Sequence, residues 1–157
     1  MKLACLTSII FVLCTHVFAQ SSAADSTQLH LQPGISIEMH NTNNFGLSLG
    51  GMLGTNLGKT YAPNYALGIY ADVIFVNQPI IGQRVKVNLN HLGIFGINFN
   101  VANYYRNGQN DFRITPEINF SYQGKVNLFA GYNFSISDHK FSEIGDFKLG
   151  MNVNLVR

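Results

Sequence analysis

Two short stretches have residue types and spacings that chemistry uses. Gly54 to Thr60, GTNLGKT, ends as a phosphate-cradling loop ends. Such a loop needs four residues between its glycines and a helix beyond them; here Thr55, Asn56 and Leu57 are only three, and no 3.6-residue period follows. The stretch is therefore expected to be a turn. In HNTNNFG, His40 stands two positions before Thr42, and an imidazole beside a hydroxyl is the pairing that activates a nucleophile for ester cleavage. A base of that kind needs an acid to orient it. Gly46 to Lys59 contains no Asp or Glu, and Glu38, which shares the parity of His40, would sit on the same strand. This stretch too reads as a polar turn. His30, His91 and His139 lie far apart without metal-ligand spacing. No catalytic residue, cofactor site or metal site is expected.

The remaining titratable residues follow a different order. From Leu29 onward the chain alternates apolar and polar residues, and no segment carries a helical period. Eight segments result, running through Leu29–Met39, Leu47–Leu53, Tyr65–Asn77, Val85–Leu89, Phe95–Val101, Phe112–Tyr122, Val126–Ile136 and Phe147–Leu155. Most have the length of a tilted membrane-spanning strand, about 9 to 13 residues, rather than the 5 or 6 usual in soluble sheets. Turn chemistry separates them, with Asn107-Gly108 and Gln123-Gly124 as hairpin signals and Ser137 to Asp146 as the longest late loop. Across Asn90 to Gly93 the parity does not change, so one strand from Arg84 to Tyr105 would also satisfy the pattern and reduce the count to seven.

Composition narrows the class. The chain has 157 residues, enough for one domain, and 11% charged residues against roughly 25% in an ordinary soluble domain. Gly (15) and Asn (18) are abundant, and a net charge of +2 with no Lys/Arg cluster gives no footprint for nucleic acid. Residues 1–19 read as a cleaved secretory signal: Lys2, an apolar run from Leu3 to about Leu13 that is too short to span a bilayer, then Val17-Phe18-Ala19 with small residues where the peptidase cuts. Residues 20–28 read as a flexible segment and 29–157 as the folded domain. Leu13 before Cys14 is too bulky for lipoprotein cleavage. Both cysteines, Cys5 and Cys14, fall in the signal, so the exported chain would carry no disulfide.

Alternation alone fits a soluble sandwich as well as a membrane barrel. The polar parity decides, because it is mostly Asn, Gly and Ser rather than the Lys, Glu, Asp and Thr that a face in bulk water uses. Small neutral polar residues suit the narrow interior of an antiparallel up-and-down β-barrel of about eight strands, with the apolar parity against lipid. Tyr61, Tyr65, Tyr104, Tyr105 and Tyr122 are candidates for interfacial girdles. Glu38, Lys86, Asn98, Asn100, Arg113, Glu117, Asn119, Lys125, Asn133, Lys148 and Asn152 are expected to form a polar network in the lumen, together with Asp72. Unpaired buried charges are costly, so they should pair and leave no open pore.

With its signal peptide, eight alternating segments, LFAGYNFSIS and the closing FKLGMNVNLVR, the chain resembles the small outer-membrane β-barrels of Gram-negative bacteria, Bacteroidota-like ones in particular, over Leu29 to Arg157. The resemblance implies an outer-membrane location, contact with membrane lipid and insertion by the barrel-assembly machinery. Its end, Leu155-Val156-Arg157, lacks the terminal aromatic that many such proteins present to that machinery. HNTNNFG is similar to the His-x-Ser-Asn stretch of the outer-membrane lipid A deacylases, with Thr42 where they have serine. A closed barrel has no free edge, so a monomer is expected, and without a catalytic constellation the protein is expected to be non-enzymatic. The competing reading is a soluble periplasmic up-and-down barrel that turns its apolar parity inward around a lipophilic ligand. Asn98, Asn100, Asn119 and Asn133 separate the two, lining the lumen in the first and facing solvent in the second.

Overall fold

The computed structural model describes residues 29–40, 44–55, 64–91, 94–122 and 125–155. The expected signal and flexible segment, together with Thr42 and Tyr61, lie outside them. Among the described residues nine strands form: β1 Leu29–His40, β2 Asn44–Thr55, β3 Asn64–Phe75, β4 Ile80–His91, β5 Phe95–Arg106, β6 Gln109–Tyr122, β7 Val126–Tyr132, β8 Phe134–Ser135 and β9 Phe147–Asn154. Their ladders are antiparallel throughout, and β9 returns to β1 with Ile37 opposite Met151, which closes the sheet into an eight-stranded barrel. The short β8 is an extra strand. It continues on β6 the register of β7, with Glu117 opposite Gly131 and Arg113 opposite Ser135.

The uncertain break near Asn90 resolves into two strands, because β4 and β5 pair with each other from His91↔Phe95 to Ile81↔Tyr105. An even strand count follows. At the opposite end of β5, Asn107 (φ 52°) and Gly108 (φ 77°) make the two-residue turn whose twist matches the flanking strands. One rim of the barrel carries residues 76–79, this turn and the segment 136–146, while the other receives the start of β1 and the end of β9.

Facing follows parity almost without exception. Among the described residues, 29 large hydrophobic side chains are exposed on the outer wall, whereas 23 buried residues are polar or charged and only 10 are hydrophobic. The usual dry core and wet surface are thus exchanged. Space inside is tight, and glycines opposite aromatics relieve it. Tyr70 pairs with Gly50, Tyr104 with Gly82 and Phe129 with Gly150, and a Cβ on any of these glycines would run into the facing ring. Tyr104 corrects the expected girdle: it sits on the inward parity of β5 and is 3% exposed. Tyr65 and Tyr122 are exposed near one rim, and Tyr105 nearer the other.

Candidate functional site

The lumen carries most of the polar chemistry of the molecule. Six of its ionisable side chains come from five strands and meet in one belt. Arg84 lies between Glu38 and Asp72, pairing with a carboxylate oxygen of each and donating to Ser48 Oγ at 2.8 Å; its contact with Asp72 is 3.1 Å. Lys148 bridges Glu117 Oε1 at 2.7 Å and Glu38 Oε2 at 3.4 Å, and Lys86 reaches Glu117 Oε2 at 3.6 Å. The ammonium groups of Lys86 and Lys148 also lie 5.1 and 5.5 Å from the Phe129 ring centroid. A ring face attracts cations, so Phe129 gives both ammonium groups a partner in its otherwise apolar body.

Amides extend this belt along the barrel. Asn98 Nδ2 donates to Glu117 Oε2 at 2.9 Å, and Asn98 Oδ1 accepts from Asn88 at 2.6 Å and Asn119 at 2.8 Å. Asn152 donates to Ser36 Oγ (2.9 Å), Asn100 to the Thr115 carbonyl (3.0 Å), and Thr115 Oγ1 to Asn133 Oδ1 (2.7 Å). An amide both donates and accepts, which lets a closed interior satisfy hydrogen bonds without adding charge. Together with Arg113 and Asp111, four carboxylates and four cations are buried here, so formal charge balances. Balance matters because an unmatched buried charge costs several kcal/mol, on the order of 3–5 when one partner is lost.

Above the belt, at the rim that carries segment 136–146, an apolar stopper fills the barrel. Phe141 and Ile144 from that segment are buried against Ile74, Ile80, Ala102 and Tyr104. Arg113 fixes the segment. Its guanidinium makes a forked pair with Asp111 Oδ2 (2.8 and 2.6 Å) and donates to the carbonyls of Ile144 at 2.6 Å and Phe141 at 2.8 Å. Asp111 in turn accepts the Phe141 backbone N–H at 2.9 Å and the Ser135 hydroxyl at 2.6 Å. Nearer the rim, Arg106 donates to Glu143, and that hydrogen bond holds the Glu143 carboxyl below its ordinary pKa.

Ten of the eleven residues expected in the lumen are buried there: Glu38, Lys86, Asn98, Asn100, Arg113, Glu117, Asn119, Asn133, Lys148 and Asn152. Lys125 is not. It lies exposed in the turn after β6, past the last paired residue, Tyr122, where strand parity no longer governs facing. Arg84 and Asp111 were missed although each shares the inward parity of a residue that was found, Lys86 and Arg113. The imidazole of His40 does meet Glu38, at 3.4 Å, but inside the barrel, where Glu38 also pairs with Arg84 and Lys148. His30 and His139 are exposed. Among the described residues, no three His, Cys, Asp or Glu side chains come together as a metal site. Comparison with protein-family models, with curated proteins and with solved structures gives no match to this chain.

Proposed function

We propose that the protein is a non-enzymatic outer-membrane β-barrel with a plugged polar lumen, serving the cell envelope as a structural or surface-interaction protein. The observation that carries this reading is the exchange of dry and wet faces. Soluble monomers rarely expose a contiguous apolar patch above a few hundred Å², whereas here apolar side chains cover the outer wall on every strand. On the described strands the outward positions hold no Asp, Glu, Lys or Arg, and polar ones such as Gln83 and Asn103 are amides. Lipid is the solvent in which such a wall is stable, and a closed ladder leaves no backbone group unpaired within it.

The facing of Asn98, Asn100, Asn119 and Asn133 supports the same reading. All four point into the lumen, the side a lipocalin-like binder would line with apolar groups. Outer-wall aromatics gather toward both rims, with Tyr65, Phe95 and Tyr122 at one and Phe45, Phe75 and Tyr105 at the other, as interfacial girdles do. In this reading the chain is exported by its signal, inserted by the barrel-assembly machinery and monomeric in lipid. Expression with its signal in a Gram-negative host provides the test. The protein is expected in the outer-membrane fraction, with the folded form migrating differently from the boiled form on cold SDS gels. Recovery in the soluble periplasm would overturn the proposal.

A further inference from the structure

The rim that carries the stopper also holds an open groove of about 880 Å³, and five of its nine lining residues are amides: Asn44, Asn77, Gln78, Asn107 and Gln109. Side-chain bonds hold its walls in place. Asn107 Nδ2 donates to Gln78 Oε1 at 2.8 Å, joining the β5–β6 turn to residues 76–79, and Asn44 Nδ2 donates to the Glu143 carbonyl at 2.8 Å. Such bracing shapes the groove before any ligand arrives, which lowers the ordering cost of binding. Two amides remain unused: Asn77 and Gln109 are exposed and make no side-chain hydrogen bond among the described residues. The charges in the groove are already engaged. Arg106 is paired with Glu143, and its guanidinium lies 4.8 Å from the Phe141 ring centroid.

We propose that this groove binds an uncharged polyhydroxyl saccharide. Each amide offers two donors and an acceptor, and each sugar hydroxyl gives and accepts, so a row of amides matches a row of hydroxyls without charge. An anion finds its one cation neutralised. Phe75, 55% exposed where the groove meets the outer wall, offers an apolar face to the C–H side of a sugar ring. That position also suits the headgroup of a glycolipid anchored beside the barrel, and this placement alone rests on the outer-membrane reading. A free saccharide presents the same hydroxyls.

The test uses the full chain, folded in amine-oxide micelles that contain no sugar, and follows the side-chain amide NMR signals of Asn77 and Gln109. Maltose, lactose and mannobiose are titrated, then the dodecyl glycoside of whichever binds best, with inorganic phosphate as the anionic control. At least one disaccharide is expected to shift both signals saturably with Kd of about 1–10 mM, and its binding, followed on the remaining groove amides, to weaken about tenfold in Asn77→Ala/Gln109→Ala. A dodecyl glycoside that binds more tightly than its free sugar assigns the headgroup source; equal affinity assigns the free saccharide. The proposal is overturned if no sugar moves the signals, if the double variant binds as well as the parent, or if phosphate displaces the sugar. Heat-modifiable migration of the same samples reports on the barrel separately, so a failed groove and a failed barrel are distinguishable.

Discussion

Arg113 directs donors to a carboxylate and to backbone carbonyls at a site with no access to water, and that geometry suits only a planar guanidinium. Arg113→Ala would leave Asp111 buried without its cation, at a cost of about 3–5 kcal/mol. The measurement is the urea midpoint at which the heat-modifiable band disappears. It should fall sharply for the single variant and less for Arg113→Leu/Asp111→Leu, which removes both charges; an unchanged midpoint in the single variant would exclude the clamp. Glu143 makes a titratable contact at the rim. Its carboxyl is held low by the Arg106 hydrogen bond, so the contact contributes fully above the ordinary carboxylate value of about 4.3 and is lost as pH falls through the lowered one. Carbon-13 titration of the Glu143 carboxyl should give a midpoint below that ordinary value, rising in Arg106→Gln. A midpoint that does not move would show that Arg106 has no hold on it. Parity read from the sequence found Glu38, Glu117 and Lys148, because each lies within the paired part of its strand. Its limits show at Lys125, beyond the last ladder pair, and at Tyr104, whose residue type suggested a girdle while its parity pointed inward.

Strands were legible because a two-residue period has one physical cause in a barrel wall, the alternation of side chains between its faces. Even the ambiguous break at Asn90 to Gly93 kept its parity, and only the register of β4 against β5 could divide it. The stopper was not legible. Phe141 and Ile144 sit in a segment rich in polar residues, and nothing periodic marks a loop that turns inward; two apolar residues three apart in SDHKFSEIGD were the only sign. Glycines are abundant in the sequence, but their pairing with Tyr70, Tyr104 and Phe129 depends on register between strands. That pairing makes a prediction. Gly82→Val places a branched side chain against the Tyr104 ring and should cost about 1–3 kcal/mol by overpacking. Combining it with Tyr104→Ala should restore part of the loss, and a double-mutant cycle with no coupling would refute the steric account.

As a whole, the molecule separates two tasks that a soluble domain assigns to one core. Outside, in the reading proposed above, the apolar wall partitions into lipid; inside, the charged belt and amides hold the strands at one spacing. Conduction tests how completely the interior is filled. The belt draws ionisable side chains from five strands, and the stopper lies above it as a second, separate layer. An ion would have to pass both layers. Phe141→Ala/Ile144→Ala thins only the stopper, and truncation of this kind typically costs about 2–5 kcal/mol per residue. In planar bilayers both the parent and this variant should therefore show no steady ohmic current, although the variant should lose stability. A current in the variant alone would make the stopper the only seal and the belt permeable. A steady current in the parent would mean that the belt leaves a continuous water path, and the plugged lumen would have to be abandoned even with the barrel still in its membrane.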